Sequence, residues 1–326
     1  MKKSIFIQIP SYKDYELEPT ILDCINKSSG KFDLRFGVSL LVHGKNDVPV
    51  PKLSNVHVTR LTFDDGYGVG FSRARANEWY AGEDYYFQID SHERFKPNWD
   101  LYLVLELERL KANGYNKPLM SGYPQNYWFN DYGMPTYFDD DYITSFKFVD
   151  KNITQFSETG VLDQTAHLND KSRTIRARSS CAGMVFTVGD YGLIKPNEKI
   201  MFWGEENLQS ARAITNGFSL FTPQKNVVYH QYFAKSEENR SHKRNKRAHV
   251  WSDLRDHGFD DWHQKDEAGK EYLVNLFKNW EISQEGLGSV VSKELYTLYT
   301  GIDHDLRSLT EDAIMGTEPN DLLRNI

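Results

Sequence analysis

The sequence predicts an α/β chain: a doubly wound, mostly parallel central sheet followed by a mainly helical C-terminal extension. Three observations predict it. Short runs of β-branched and aromatic residues alternate with amphipathic helical stretches through the first part of the chain. Residues 84–92 form an apolar, aromatic run of the kind that suits a strand buried on both faces, and it ends abruptly in Asp-x-His. Past His230 the patterning becomes helical.

The elements follow in order. Residues 4–9 read as the first strand, 10–12 as a loop and 17–24 as an amphipathic helix, a β-loop-α opening. Residues 35–42 and 56–61 give the second and third strand patterns, and 72–80 a helix leading into the strand 85–89. After the Asp-x-His turn, 98–113 is helical with Gly114 as its stop. Residues 122–170, rich in Asn, Asp, Tyr and Pro, lack a sustained period and read as strands joined by long loops. Residues 182–188 resemble another buried strand and 205–216 a helix. The stretch 237–249 is basic, holding Arg240, Lys243, Arg244, Lys246 and Arg247. Residues 253–267 are acidic, and the pair reads as a flexible connection or a mobile loop. Residues 271–281 and 292–299 are helical, which divides the chain into a domain over 1–235 and an extension over 236–326.

Composition narrows the classes of function. With 39% apolar and 26% charged residues the chain is an ordinary globular protein. A formal charge of −7 argues against a surface that tracks nucleic acid throughout, while leaving room for a local basic patch. Cys24 and Cys181 are the two cysteines, which gives no disulfide framework and predicts a reducing, cytoplasmic setting. The apolar stretch 5–9 stops at Pro10, too short for a signal or an anchor, so no membrane partner is expected.

Three places concentrate chemistry. Asp90 and His92 stand two apart, so an extended chain turns both to one side at the carboxyl end of a strand, where open α/β sheets bind ligands. They read either as a turn cap and a polar loop residue, or as ligands to a divalent ion such as Mn²⁺ that grips a diphosphate. Glu205 and Glu206 open a helix after Phe202-Trp203-Gly204. Adjacent carboxylates there gain from the helix dipole, and Glu206 could also bind sugar hydroxyls or stabilise positive charge at an anomeric carbon. Glu205 would then support the loop or contact an acceptor, and helix periodicity leaves open which glutamate points inward. His230 closes the β-branched run 227–232, either as a packed histidine or as a third protein ligand.

Ile9-Pro10-Ser11-Tyr12-Lys13-Asp14, residues 82–92 with Arg94-Phe95, Cys181-Ala182-Gly183, Trp203-Gly204-Glu205-Glu206, His230 with Tyr232, Gly286-Leu287-Gly288-Ser289 and Tyr299-Thr300-Gly301-Ile302-Asp303 together span most of the chain. They resemble retaining nucleotide-sugar glycosyltransferases of the GT-A fold, in particular the cytoplasmic hydroxyproline α-N-acetylglucosaminyltransferase family, whose acceptor is an adaptor subunit of ubiquitin ligases. The mucin-type N-acetylgalactosaminyltransferases are more distantly similar: they pair an Asp-Ser-His metal motif with Trp-Gly-Gly-Glu-Asn, which Trp203-Gly204-Glu205-Glu206-Asn207 follows with one glycine replaced.

The resemblance implies that Asp90, His92 and His230 hold Mn²⁺ or Mg²⁺ and that Glu206 is the functional glutamate. It implies that Ser11 and Tyr12, with Asp64 or Asp65, lie near the uridine of a UDP-sugar, and it puts Trp203 on the donor side. Arg73 would reach the aspartates or the diphosphate, or serve a structural ion pair. The implied donor is UDP-N-acetylglucosamine and the implied acceptor a hydroxyl on a protein. Residues 123–178 and the basic stretch match no acceptor site of that family, so another polymer, such as DNA with hydroxymethylated bases, is an alternative acceptor. A nucleotide-sugar-binding protein without turnover and a metal-dependent hydrolase are the competing readings.

Overall fold

A computed structural model describes residues 2–42, 48–138, 141–148, 156, 158–167, 172–232, 250–256, 258–259 and 261–326. Strands β1 (Ser4–Tyr12), β2 (Asp33–Leu41), β3 (Val56–Leu61) and β4 (Tyr85–Ile89) run parallel, with β1 between β4 and β2. Helices α1 (Leu17–Asn26) and α2 (Val69–Asn77) follow β1 and β3. Next come β5 (Glu93–Phe95), α3 (Trp99–Ala112), β6 (Pro118–Ser121), β7 (Gln125–Phe129), β8 (Pro135–Tyr137), β9 (Ser145–Lys147), β10 (Thr165–His167), β11 (Ile175–Arg176) and β12 (Met184–Val188). Then follow α4 (Glu205–Thr215), β13 (Ser219–Thr222), β14 (Val228–His230), α5 (Val250–Asp256), α6 (Trp262–Asn279) and α7 (Lys293–Thr300).

The central sheet has the order β11-β13-β6-β12-β4-β1-β2-β3. β12 lies antiparallel to both β4 and β6, and β11 antiparallel to β13. The other pairs are parallel. A second sheet, β5-β14-β7-β8, stands beside the end of β4.

Strand alternation sorts the core onto the two faces of this sheet. Ile5, Ile7 and Ile9 pack with Leu17 and Ile21 of α1 and with Trp99, Leu103 and Leu107 of α3. Phe6, Tyr86, Leu119 and Val185 face Leu208, Ala211 and Ile214 of α4, and also Leu273, Leu276 and Phe277 of α6. Burying each such Leu or Phe contributes about 1.5–3 kcal/mol. Helices therefore cover both faces, as a doubly wound sheet requires.

Some expectations need correction. Residues 10–12 continue β1 instead of forming a loop. Pairing with β4 ends at Gln8 while pairing with β2 runs on to Tyr12, so Pro10, which has no N–H to donate, sits where β1 has one neighbour. Helix α2 starts three residues before the expected 72. The acidic stretch 253–267 is largely helical, in α5 and α6. Leu254 of α5 is buried with Leu41, Leu61, Phe63, Tyr67 and Met201, which accounts for the order there. The basic residues between 240 and 247 fall outside the described residues. Among the described residues, no helix is long and apolar enough to cross a membrane.

Candidate active site

Asp90 follows the last residue of β4, and the chain bends at Ser91 and His92 instead of running on extended, yet His92 comes to the same cluster. β14 pairs antiparallel with β5, His230 opposite Glu93, and this brings the second histidine across. The ring nitrogens His92 Nε2 and His230 Nε2 are 3.1 Å apart, and His230 Nε2 is 3.2 Å from Asp90 Oδ2. One ligand atom from each of the three residues lies within 4.8 Å of the others.

This donor set fits a divalent ion. Two imidazoles and a carboxylate suit a first-row divalent ion such as Fe²⁺ or Mn²⁺, and ligands about 2.1 Å from one ion at right angles stand about 3 Å apart. Gly183 keeps the space open, because a Cβ there would sit 3.0 Å from Asp90 Oδ2 and 3.6 Å from His230 Cδ2. Burial pushes the Asp90 carboxyl up, but the hydrogen bond to His230 and the charge of Arg73 hold it well below the usual carboxylate range. It is thus an anion ready to bind a cation.

Arg73, on α2, is 3% exposed. Its Nη2 donates to Asp90 Oδ1 and to the Ala182 carbonyl, both at 3.0 Å, and its Nε donates to Glu205. Its guanidinium thus joins the two carboxylates from the ends of β4 and the start of α4. Gly204 at φ 90° makes the turn into α4, and a side chain there would run into Leu273. Arg73 and Glu205 also line a cavity of about 50 Å³ with Gln88, Gln209 and Arg212, room for a few waters.

Glu206 points elsewhere. Its Oε1 accepts the Ala182 N–H at 3.1 Å, and its Oε2 accepts Gln164 Nε2 at 2.8 Å and the Tyr123 hydroxyl at 3.4 Å. Burial pushes its carboxyl up to about 7, with the Glu205 charge adding to the rise and the Ala182 and Gln164 hydrogen bonds opposing it. Burial also raises Glu205, against the pull of Arg73.

The remaining sequence candidates gather less tightly. Ser11 is buried and its hydroxyl has no hydrogen-bond partner among the described residues. Tyr12 stacks on Phe63 with ring centroids 5.8 Å apart, which brings β1's end beside the turn carrying Asp64 and Asp65. Both aspartates are exposed, and Asp65 caps that turn through Thr62 N–H (2.8 Å) and Oγ1 (2.9 Å). Trp203 is 46% exposed and packs edge-on against Phe202.

Sequence reasoning passed over several neighbours. Asp14 Oδ2 lies 2.6 Å from His92 Nδ1 and accepts Ser91 Oγ at 2.7 Å. Gln164, Tyr123 and the Ala182 amide surround Glu206, and Asp253 of α5 accepts the Tyr12 hydroxyl and, at 2.7 Å, Lys13 Nζ. Asp14 alone carried a signal, a carboxylate just past the end of the first strand.

A family profile described as Glycosyltransferase (GlcNAc) matches residues 41–303. No curated protein sequence matches the chain. Among solved structures, GalNAc-T7, determined with UDP, GalNAc and Mn²⁺, is similar with a TM-score of 0.50 and 12% identity, over 71% of this chain and 44% of that one. The chain thus spans less than half the length of that relative. A fragment of S. aureus TarS, residues 1–349, gives 0.40 and 12%, over 70% and 60% of the two chains. The likeness to GalNAc-T7 identifies the α/β architecture as a GT-A fold. The profile match takes in α2, the ends of β4 and β14 and the start of α4, and the chain belongs to the glycosyltransferase (GlcNAc) family.

Proposed function

We propose that the protein is a metal-dependent retaining glycosyltransferase that moves N-acetylglucosamine from its UDP-sugar to a hydroxyl acceptor. The observation that carries the reading is the convergence of Asp90, His92 and His230 at the carboxyl end of β4, with Arg73 tying Asp90 to Glu205. Membership of a glycosyltransferase family supports it. So does the GT-A likeness to GalNAc-T7, a structure that holds UDP, GalNAc and Mn²⁺.

In this reading Asp90, His92 and His230 hold Mn²⁺ or Mg²⁺. When bound, such an ion would supply positive charge to a diphosphate leaving group. Arg73 keeps Asp90 ionised and aimed at the ion, and Glu205 neutralises the far side of the guanidinium. Glu206, fixed by Ala182, Gln164 and Tyr123, binds sugar hydroxyls or stabilises positive charge at the anomeric carbon. Tyr12, Ser11 and the turn with Asp64 and Asp65 border the uridine, and Trp203 lies on the donor side. Retention follows from attack on the face the diphosphate leaves, a route that needs no enzymic nucleophile. Segment 1–235 is the catalytic unit, and the extension 236–326 contributes Asp253 at Tyr12. The acceptor class is a protein hydroxyl, as in the hydroxyproline α-N-acetylglucosaminyltransferases that the motifs resemble, and the setting is cytoplasmic.

Substituting Asp90→Ala tests the reading. Several kcal/mol of lost charge stabilisation corresponds to a fall of about 10³-fold in UDP release, with an unchanged circular dichroism spectrum. Near-normal turnover in that variant refutes the metal assignment.

A further inference from the structure

The middle residue of Asp90-Ser91-His92 does not face the cluster. Its hydroxyl donates instead to Asp14 Oδ2 at 2.7 Å, and the same oxygen lies 2.6 Å from His92 Nδ1. The other carboxylate oxygen, Oδ1, accepts the backbone N–H of Glu16 at 2.9 Å. We propose that Asp14 is a positioning residue that sets the tautomer and ring orientation of His92 so that Nε2 serves as a metal ligand. The proposal rests on the metal-dependent reading above.

For a neutral His92 ring the hydrogen bonds leave one arrangement. An ionised carboxylate only accepts, and a neutral imidazole carries hydrogen on one nitrogen. With Asp14 at Nδ1, the hydrogen belongs on Nδ1 and the lone pair on Nε2. That nitrogen is the one 3.1 Å from His230 Nε2, inside the cluster. A carboxylate behind a ligating histidine both fixes the ring and raises its basicity.

Asp14 is itself held from both sides. Lys13 Nζ donates to Asp253 at 2.7 Å, and two residues on Glu16 pairs with buried Arg94. The side chains of Asp14 and His92 are each 13% exposed, so water has limited access to compete for Nδ1. Ser91 gains a purpose as well: the chain bends at Ser91 and His92, which brings the serine hydroxyl and His92 Nδ1 to the same Asp14 oxygen.

Asn is the informative substitution. It offers one acceptor where Asp14 uses both oxygens, so its amide NH₂ must face either the Glu16 N–H or His92 Nδ1. Facing the Glu16 N–H it would set two donors against each other, so it turns to Nδ1, where it selects the opposite tautomer and puts a hydrogen on Nε2, where the ion would bind.

The test combines two readings on wild type, Asp14→Asn and Asp90→Ala. The ¹⁵N shifts of selectively labelled histidine in metal-free protein report which His92 nitrogen carries hydrogen, and electron paramagnetic resonance of free Mn²⁺ gives the affinity. The expected result is Nδ1–H in wild type and in Asp90→Ala, loss of that tautomer in Asp14→Asn, and Mn²⁺ binding weakened about 10–100-fold in Asp14→Asn, with its thermal midpoint preserved. Wild-type His92 protonated on Nε2 overturns the proposal, and this holds even where the Asn variant fails to fold. So does Mn²⁺ binding by Asp14→Asn equal to wild type. A wild type that binds no Mn²⁺ overturns the metal reading itself, and the ligating role with it, even where the tautomer is as proposed.

Discussion

Glu206 shows how burying one carboxyl couples its protonation to stability. Its carboxyl moves from 4.5 to about 7 because folding buries it. The folded chain then binds a proton there that the unfolded chain releases, so the group's contribution to stability is complete below about pH 4.5 and is lost as pH rises through about 7. Glutamine mimics the protonated form and does not titrate. The thermal stability of Glu206→Gln relative to wild type should therefore climb between pH 5 and pH 8, by about 1–2 kcal/mol after allowance for partial exposure. Parallel pH profiles in calorimetry contradict this. At this scale the sequence was readable where spacing is local. Asp90 and His92 were visible as a pair because they stand two apart, and His230 was visible as the end of a β-branched run. Asp14 and His92 are 78 positions apart, and no period links them. Which glutamate pairs with Arg73 was unreadable too, because Arg73 reaches Glu205 from another helix.

The elements hold Arg73 in place through close packing of α2 on the sheet. A Cβ at Gly37 of β2 would lie 2.4 Å from the Ala76 carbonyl and 2.5 Å from Phe6 Cζ. Backbone cannot yield as a flexible side chain does, so Gly37→Ala must push α2 outward, at a cost of about 1–3 kcal/mol. Urea unfolding measures it, and an unchanged midpoint would show that the helix is not seated as described. Strands β3 and β4 were legible to the residue, since runs such as 85–89 are apolar and bounded. The antiparallel direction of β12 was not, because an apolar run reads the same either way along the sheet. The start of α6 was missed for another reason: its first turns carry polar and charged residues, and the helix becomes apolar toward Leu273, Leu276 and Phe277.

Across the whole molecule, the α/β alternation and the helical character of the last part were both readable from patterning. Their mutual packing was not. Leu273, Leu276, Phe277, Tyr296 and Tyr299 share one core with Phe6, Tyr86 and Leu119 of the sheet, and Asp253 bonds both Tyr12 and Lys13 at the end of β1. The C-terminal part therefore supports the same strand end that carries the loop to Asp14. The proposed metal-dependent site for a UDP-sugar lies at the strand ends that this packing supports. Mass spectrometry of the protein with Mn²⁺ and a panel of UDP-sugars, with and without EDTA, tests it most directly. The expected result is UDP release from UDP-N-acetylglucosamine ahead of the other donors, abolished by the chelator. Release that EDTA leaves untouched, or no release from any donor, contradicts it.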